Sequence, residues 1–279
     1  SLSLVIGTAL INLLGFATAI SSLSIAVAFI MLVPICFRER PGEKIMPWTK
    51  GKPSHDSKNA QLGSWRQIFK SLLKVVLLPS TLFMGMASVI VGVMFGLIDT
   101  FLPIFTIQDL GWTNTSFSQV YSITTVVGGF FGMFIGGALV DFFGDKKMII
   151  LYLSILVILI IGLSLSPNLW GNDKFIFSFI LLYYLFYTFL TIAFFAASMK
   201  LCWQTVAATQ FTLFMALSNM GRAAGSGLVG IFKELMSWEY VLLITAISPL
   251  ITIFFIKLIN FKKHRKTLDS FKKNILALT

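Results

Sequence analysis

Charged residues, cysteine and histidine are all scarce in this chain of 279 residues. Asp, Glu, Lys and Arg together make up 12% of it, against roughly a quarter in soluble globular domains. Cys36 and Cys202 are too few for a disulfide framework. His55 and His264 stand apart from other metal-ligating side chains, and the GxSxG and CxxC motifs are absent. The sequence therefore predicts neither an enzyme nor a metal or cofactor site.

Hydrophobic residues, by contrast, make up 57% of the chain, and its mean hydropathy is +0.88. A membrane-crossing helix requires about 20 apolar residues. Six runs of that order follow one another: 77–106, 117–140, 148–165, 175–199, 208–232 and 238–260. The fold class predicted is an all-α membrane protein with a six-helix bundle. Because Ser1 lies inside another apolar run, we expect a fragment of a longer protein.

Residues 1–37 are too long for one straight crossing, so we expect a clipped helix, a turn near 16–19 and a complete helix. The polar stretch that follows predicts a linker, whose end, from an N-cap at Ser64, has the pattern of a helix lying on the membrane surface. Four segments result: the end of an N-terminal bundle (1–37), the linker with its interfacial helix (38–76), the C-terminal bundle (77–260) and a basic tail (261–279). Two helical bundles joined by a linker are typical of transporters.

The net charge of +11 is distributed unevenly along the chain. Lys and Arg crowd into 37–76, into the tail and into alternate short links, whereas Lys174 and Lys233 alone lie in the other links. Because Lys and Arg are retained on the cytoplasmic side, this distribution predicts a cytoplasmic C-terminus. Charges that flank membrane spans predict a lipid bilayer as partner and argue against nucleic acid.

The link between the second and third runs reads GGALVDFFGDKK, residues 136–147. Its glycines, aspartate and lysines are spaced as Gly137, Asp141, Gly144, Lys146 and Lys147. This spacing resembles the signature loop of the major facilitator superfamily, with Phe142 and Asp145 at positions that are normally basic. The resemblance implies a state-dependent latch between two halves, and a solvated turn with incidental charges is the alternative.

The chemistry of the individual side chains predicts where the residues of this loop lie. Gly144 permits a tight reversal, and Lys146 and Lys147 suit anionic headgroups. Asp141 has the charge to face the N-terminal dipole of the helix that starts near 205–208.

Two further stretches, ERPGEKIMPW (39–48) and ATQFTLFMALSNMGRAAGSGLVG (208–230), resemble the AmpG-like permeases of that superfamily. This resemblance implies proton-coupled uptake of anhydro-muropeptides across a bacterial inner membrane. The same branch holds permeases of other or unassigned substrates, including relatives that move acyl-CoA compounds, so the substrate stays open.

Two ionisable residues, Asp99 and Arg222, lie well inside apolar runs. Each is about 10 residues from the outward end of its run, or about 15 Å at 1.5 Å per residue. Such residues mark substrate or ion pathways in membrane helices, so we expect a proton-coupling or substrate site. The alternatives are a permanent structural pair, or an Asp99 that satisfies backbone groups freed where Gly96 and Pro103 break the helix.

Polar and small residues extend this picture along three helices. The fifth run places Thr212, Asn219 and Ser226 near one face, which predicts a cavity wall. Tyr183 and Tyr187, four residues apart in the fourth run, are candidate cavity-lining residues that could stack on the sugar rings of a solute, with ordinary packing as the alternative. Glycine steps at Gly128, Gly132 and Gly136, and at Gly221 and Gly225, predict close helix packing or a sliding interface.

Taken together, these features predict a secondary active transporter working by alternating access. Its substrate is expected to be a small polar organic solute, its coupling ion a proton and its missing partner an N-terminal helical half. A membrane sensor or scaffold that keeps the fold without transporting is the alternative.

Overall fold

The computed structural model describes residues 16–36, 50–51 and 65–276, in which helices are joined by short turns. The chain divides into two compact units, Ser1–Gln67 and Ile68–Thr279. In the first unit the described helix is α1 (Phe16–Cys36). The turn predicted near 16–19 is therefore wrong, because that run lacks glycine and proline and simply begins the helix. The predictions for 1–15, for Ser64 and for most of the linker lie outside the described residues.

The helices of the second unit follow the order of the predicted runs. They are α2 (Trp65–Val76, which begins in the first unit), α3 (Pro79–Ile104), α4 (Asn114–Phe131), α5 (Gly137–Phe143), α6 (Asp145–Ser164), α7 (Asp173–Leu201), α8 (Ala207–Leu235), α9 (Trp238–Leu258) and α10 (Phe261–Leu276). A π-helical turn, Phe105–Asp109, extends α3, and another, Gly132–Gly136, joins α4 to α5. α4 and α5 thus form one continuous span, Asn114–Phe143.

Five continuous helical stretches in the described residues are long and apolar enough to cross a membrane. They are Pro79–Asp109, Asn114–Phe143, Asp145–Ser164, Asp173–Leu201 and Trp238–Leu258. The remaining predicted run forms α8, whose 29 residues are long enough but whose composition is diluted by glycine and by polar residues such as Asn219 and Arg222. The chain is thus an all-α membrane protein, and α8 is its most polar long helix.

Local sequence explains how the spans begin. Pro79 occupies the first turn of α3, where its missing N–H costs nothing. The Thr113 hydroxyl accepts a hydrogen bond from the Ser116 N–H (3.0 Å) at the start of α4, and the Asn172 side chain caps α7. Helix α3 is continuous through Gly96 and Pro103.

Helix packing brings the spans into one bundle with two named ends. α3 packs most extensively on α8 and then on α9, while α6 packs on α9 and α7, and α4 on α7. We call the end that holds Gly144 and 202–206 the loop end, and the end that holds 110–113 and 236–237 the far end. Near the far end the Phe101 ring meets Trp238 edge-on at 4.9 Å, and both rings are buried.

Candidate functional site

Two helices cross at backbone contact in the centre of the bundle. A Cβ on Gly221 of α8 would lie 2.0 Å from the Val89 carbonyl oxygen of α3, and one on Gly225 would lie 2.2 Å from the Val93 carbonyl. Reciprocally, a Cβ on Gly92 or Gly96 of α3 would lie 2.1 Å from a carbonyl oxygen of α8. Only glycine fits such a crossing, so its four glycines fix the register of α3 against α8.

This register brings the two predicted intramembrane charges together. The Arg222 Nη2 donates to Asp99 Oδ2 at 2.7 Å, forming an ion pair between α8 and α3. The other carboxylate oxygen, Oδ1, accepts from the Tyr184 hydroxyl of α7 at 3.1 Å. Asp99 lies one turn beyond Gly96 and Arg222 directly follows Gly221. The glycine crossing therefore positions the pair.

Stacked aromatic rings pack against the Arg222 guanidinium. The Arg222 Cζ lies 4.4 Å from the centroid of the Phe95 ring, within cation–π range. Tyr187 stacks on the other side of Phe95, with ring centroids 4.2 Å apart and planes 11° from parallel. Tyr121 of α4 meets the Tyr184 ring edge-on at 5.0 Å. Helices α3, α4, α7 and α8 thus all contribute to one polar and aromatic cluster.

The pair is not sealed inside the bundle. The Arg222 side chain is 48% exposed and that of Asp99 is 22% exposed. Because a charge facing hydrocarbon is costly, half-exposed ionic side chains in a span face a protein wall or a water-filled space. Arg222 therefore keeps guanidinium donors that the described residues leave available for another acceptor.

The predicted wall of α8 extends from this pair. Thr212 and Asn219 are exposed and Ser226 is half-buried. The Thr212 hydroxyl donates to its own helix at Ala208 O, and the Ser226 hydroxyl donates to the Gly96 carbonyl of α3 at 3.2 Å. Asn219 and Thr212 present a small polar face, while Ser226 is partly engaged in the helix crossing.

The tyrosines on α7 behave differently from the prediction. Tyr183 is 0% exposed and packs between Phe179 and Tyr184, with ring centroids 5.9 and 5.5 Å away. Its proposed place on an open cavity wall is wrong, because that part of α7 is covered by other helices. Tyr187 is half-buried beneath Phe95. The polar contact comes instead from Tyr184, which sequence reasoning missed because only tyrosines spaced by one turn were considered.

The predicted loop forms the tight reversal expected of it. Gly144 has φ of 88° between α5 and α6, a left-handed conformation that glycine adopts without a Cβ penalty. Asp141 and Lys147 are exposed, and Asp141 makes no hydrogen bond or ion pair with any described residue. Its predicted interaction with the N-terminal dipole of α8 stays a prediction.

Two charges of this loop bind the bundle rather than solvent. Asp145 is 7% exposed and accepts from Lys200 Nζ of α7 at 2.5 Å. Lys146 Nζ donates to the carbonyls of Lys257 and Ile259 at 2.7 and 2.8 Å. The prediction that Lys146 lies at lipid headgroups is therefore wrong, because its ammonium satisfies the free carbonyls at the C-terminus of α9.

The regular glycine steps of α4 have a packing role. A Cβ on Gly132 would meet Thr188 Cγ2 at 2.8 Å, and one on Gly136 would meet Ile192 Cδ1 at 3.2 Å, both on α7. Gly129 and Gly137 have no such neighbour within 4 Å. The strict four-residue stripe therefore seats α4 on α7 inside this bundle.

Polar contacts at the loop end fix α10 to the bundle. His264 Nε2 donates to the Leu201 carbonyl at 2.8 Å, and the same carbonyl accepts from Gln210 Nε2 at 3.1 Å. Burial lowers the pKa of His264 below 6.5, and the hydrogen bond to Leu201 opposes part of that shift. Burial also raises the pKa of the Cys202 thiol to about 11, so this cysteine stays protonated and unreactive at neutral pH.

A well-formed cleft lies away from the ion pair. It encloses about 680 Å³ at the far end, between the starts of α4 and α7, and it is lined by residues that include Trp112, Lys174 and Phe177. A hydrogen bond from Trp112 Nε1 to Asp173 Oδ1 (2.7 Å) ties the two helices there. No group of three metal-ligating side chains occurs within the described ranges.

Comparison with known proteins now decides the family. A family model described as Major Facilitator Superfamily matches residues 1–226, about four-fifths of the chain. The chain belongs to the major facilitator superfamily. No curated protein matches it.

Membership in the superfamily fixes the general function. Its members are membrane transporters of small molecules rather than enzymes, and the chain is accordingly an integral membrane transporter whose surroundings are a lipid bilayer. The match begins at residue 1 and ends inside α8, so it covers both Asp99 and Arg222.

Proposed function

We propose that this member of the superfamily is a secondary active transporter that uses the ion pair between Asp99 and Arg222 to couple solute uptake to protons. The observation that carries the proposal is the 2.7 Å contact between the half-exposed Arg222 guanidinium and the less exposed Asp99 carboxylate, both well inside long helices. Ionisable groups at such depth are costly and are typically functional.

The pair has the chemistry for coupling. When Asp99 is ionised, it binds the Arg222 guanidinium by Coulomb attraction and a hydrogen bond, and the Phe95 ring adds a cation–π contact. When Asp99 takes a proton, the Coulomb attraction disappears while Arg222 stays charged. The guanidinium is then free to hold an anionic or hydrogen-bonding group of the solute. Tyr184 keeps the carboxylate in place in both states through its hydroxyl.

Alternating access requires two halves that rock about a shared site. We propose that 77–260 is one half, that 1–37 ends the other, that 38–76 links them, and that 261–279 is the tail. Thr212, Asn219 and Ser226 would line the site, with Tyr187 beneath Phe95. In the loop, Gly137, Asp141, Gly144 and Lys147 would form the latch, with Lys146 anchoring it to α9.

Finer assignments rest on resemblance and charge distribution. Similarity of 39–48 and 208–230 to the AmpG-like permeases supports a polar, muropeptide-like solute and a bacterial inner membrane. The basic residues at the loop end and in α10 support a cytoplasmic C-terminus by the positive-inside rule. In this arrangement the loop end is cytoplasmic.

The decisive experiment uses the full-length protein in proteoliposomes with an imposed pH gradient and labelled candidate solutes, muropeptides among them. Asp99→Asn is expected to abolish gradient-driven accumulation while solute exchange without a gradient persists. Arg222→Ala is expected to abolish both. Asp109→Asn is the matched control, since Asp109 pairs with Lys233 across the same two helices at the far end, 3.9 Å apart.

Wild-type accumulation in Asp99→Asn would refute the coupling role. A wild-type protein that moves no solute of the panel would favour the sensor or scaffold on the same fold.

A further inference from the structure

A short amphipathic helix, α2, leads into the first span of the bundle and exposes apolar side chains. Phe69, Leu73 and Leu77, one turn apart, are 68%, 50% and 61% exposed. Val75, on the opposite side, is 0% exposed and packs in the bundle. Lys70 and Lys74 lie beside the exposed residues, also one turn apart. We call Phe69, Leu73 and Leu77 the apolar ridge.

A second amphipathic helix, α10, is fixed beside α2. Its His264 is 4% exposed and is hydrogen-bonded to the end of α7. Its Phe271 ring lies 4.0 Å from Lys74 Nζ and 5.8 Å from the Trp203 ring. The cation–π contact of Lys74 with Phe271 therefore joins α2 to α10, and the contact of Phe271 with Trp203 joins α10 to the end of α7.

The outer side of this pair is strongly basic. Within the second unit, its exposed cationic residues are Lys70, Lys74, Lys262, Lys263, Arg265 and Lys266. We call these six residues the basic collar. None of them forms an ion pair with a described acidic residue, and their charges are therefore available to an external anion.

Chain connectivity keeps one end of each amphipathic helix next to a membrane span. α2 ends at Val76 and the membrane span begins at Pro79; likewise α9 ends at Leu258 and α10 begins at Phe261. Two connecting residues extend by no more than about 7 Å. Neither helix is thus far from the boundary of the hydrocarbon core.

We propose that the apolar ridge and the basic collar form a docking surface for anionic phospholipids of the membrane leaflet at the loop end. The ridge enters the boundary between headgroups and acyl chains, as the apolar face of an interfacial helix does. The lysines of the collar bind phosphate-bearing headgroups of net negative charge. Phe271 joins α10 to this surface, so that α2 of the linker and α10 of the tail bind the lipid together.

The test is competitive lipid retention. Purified full-length protein is mixed in detergent with equal amounts of phosphatidylglycerol and phosphatidylcholine, and retained lipids are counted by native mass spectrometry. Wild type is expected to retain phosphatidylglycerol preferentially. Each lysine near a surface contributes about fivefold to anionic binding, so Lys70→Gln with Lys74→Gln is expected to lower that preference about tenfold or more.

The matched control is Lys174→Gln, an exposed lysine at the far end. It should leave the preference unchanged. An unchanged preference in the double variant, or an equal loss in Lys174→Gln, would overturn the proposal. Lys70→Gln alone spares the contact of Lys74 with Phe271 and should show about half of the logarithmic effect.

A second measurement tests the ridge. A spin label at Leu73→Cys, with every native cysteine of the full-length protein replaced by serine, is expected to collide with oxygen more than with a water-soluble nickel chelate in vesicles of 30% phosphatidylglycerol. Dipolar broadening between labels would instead show a second copy on the ridge. A label inaccessible to both reagents would show protein covering it. Either result would overturn lipid docking.

Discussion

Two helix crossings in the bundle use the same glycine pattern for different purposes. Where α3 crosses α8, an added Cβ would lie 2.0 to 2.2 Å from a carbonyl oxygen. Where α4 crosses α7, it would lie 2.8 to 3.3 Å from the side chains of Thr188, Phe189 and Ile192. Backbone atoms cannot move aside without displacing a helix, whereas side chains can turn.

The difference explains where the charges lie. The crossing of α3 and α8 has a fixed register. An ion pair between two helices needs such a register, because it keeps the two charges side by side. Arg222 directly follows Gly221 of this crossing, and Asp99 lies one turn beyond Gly96. The crossing of α4 and α7 includes a π-helical turn, Gly132–Gly136, and offers side-chain contacts that tolerate small shifts. A glycine stripe by itself does not distinguish a rigid contact from an adjustable one.

The largest expected effect is that of Gly221→Ala at the rigid crossing. Its Cβ would meet the Val89 carbonyl at 2.0 Å, and α8 would have to separate from α3. We expect loss of monodisperse protein in size-exclusion chromatography and of a cooperative thermal transition in detergent. Because the obstacle is backbone, Val89→Ala should not restore either. A well-folded Gly221→Ala protein would contradict this prediction, because it would show that α3 and α8 can move apart without loss of the fold.

A smaller effect is expected when the ion pair itself is broken. Arg222→Ala leaves the Asp99 carboxylate without its cation, and such losses cost about 3–5 kcal/mol for fully buried pairs. Since Arg222 is 48% exposed, we expect about 1–2 kcal/mol, measured as a lower thermal midpoint in detergent. The double variant with Asp99→Ala should recover part of this loss. No recovery would mean that Arg222 stabilises through Phe95 alone.

The adjustable crossing is expected to respond less, and reversibly. Gly132→Ala brings a Cβ to 2.8 Å from Thr188 Cγ2, an overpacking that costs about 1 kcal/mol. Thr188→Ser removes that methyl group and should restore the thermal midpoint of Gly132→Ala, with Thr188→Ser alone as control. If the double variant stays as unstable as Gly132→Ala, the contact of α4 with α7 is as rigid as that of α3 with α8.

The smallest effect concerns the contact of α10 with the bundle, in which the His264 side chain donates a hydrogen bond to the Leu201 carbonyl. The pKa of His264 is lowered when α10 is docked. Above pH 6.5 the imidazole is neutral in both states and the docking is at full strength. As the pH falls below 6.5, through the lowered pKa, undocked α10 binds a proton more readily and docking weakens.

Amide hydrogen exchange in α10 measures this weakening. Exchange, corrected for its intrinsic pH dependence, is expected to rise less than tenfold between pH 7.5 and 5.5. His264→Gln should remove the rise, and a rise that persists in that variant would assign it to another group.

The described spans follow the apolar runs closely, because hydrocarbon thickness sets helix length and every backbone group must be satisfied inside the helix. Counting residues from the outward end of each run also predicted that Asp99 and Arg222 lie at the same level, because a helix rises by a constant amount per residue. Position around a helix was less certain. Tyr183 and Tyr184 differ by one residue, yet only Tyr184 reaches the carboxylate.

Charges near helix ends were the least predictable. Asp145 and Lys146 look like loop charges in the sequence, yet one pairs with Lys200 and the other caps α9. Their partners lie 55 and 111 residues away, a separation that no local pattern encodes.

The sequence by itself determined the order of the long helices between 77 and 260, the glycine that reverses the chain at position 144, and the common level of two charges. These properties depend on one residue or on one helix at a time. The tertiary structure alone decided which glycines meet backbone, which tyrosine binds Asp99 and which lysine faces protein. These outcomes depend on the rotation and register of two helices, which are set by the contacts of both.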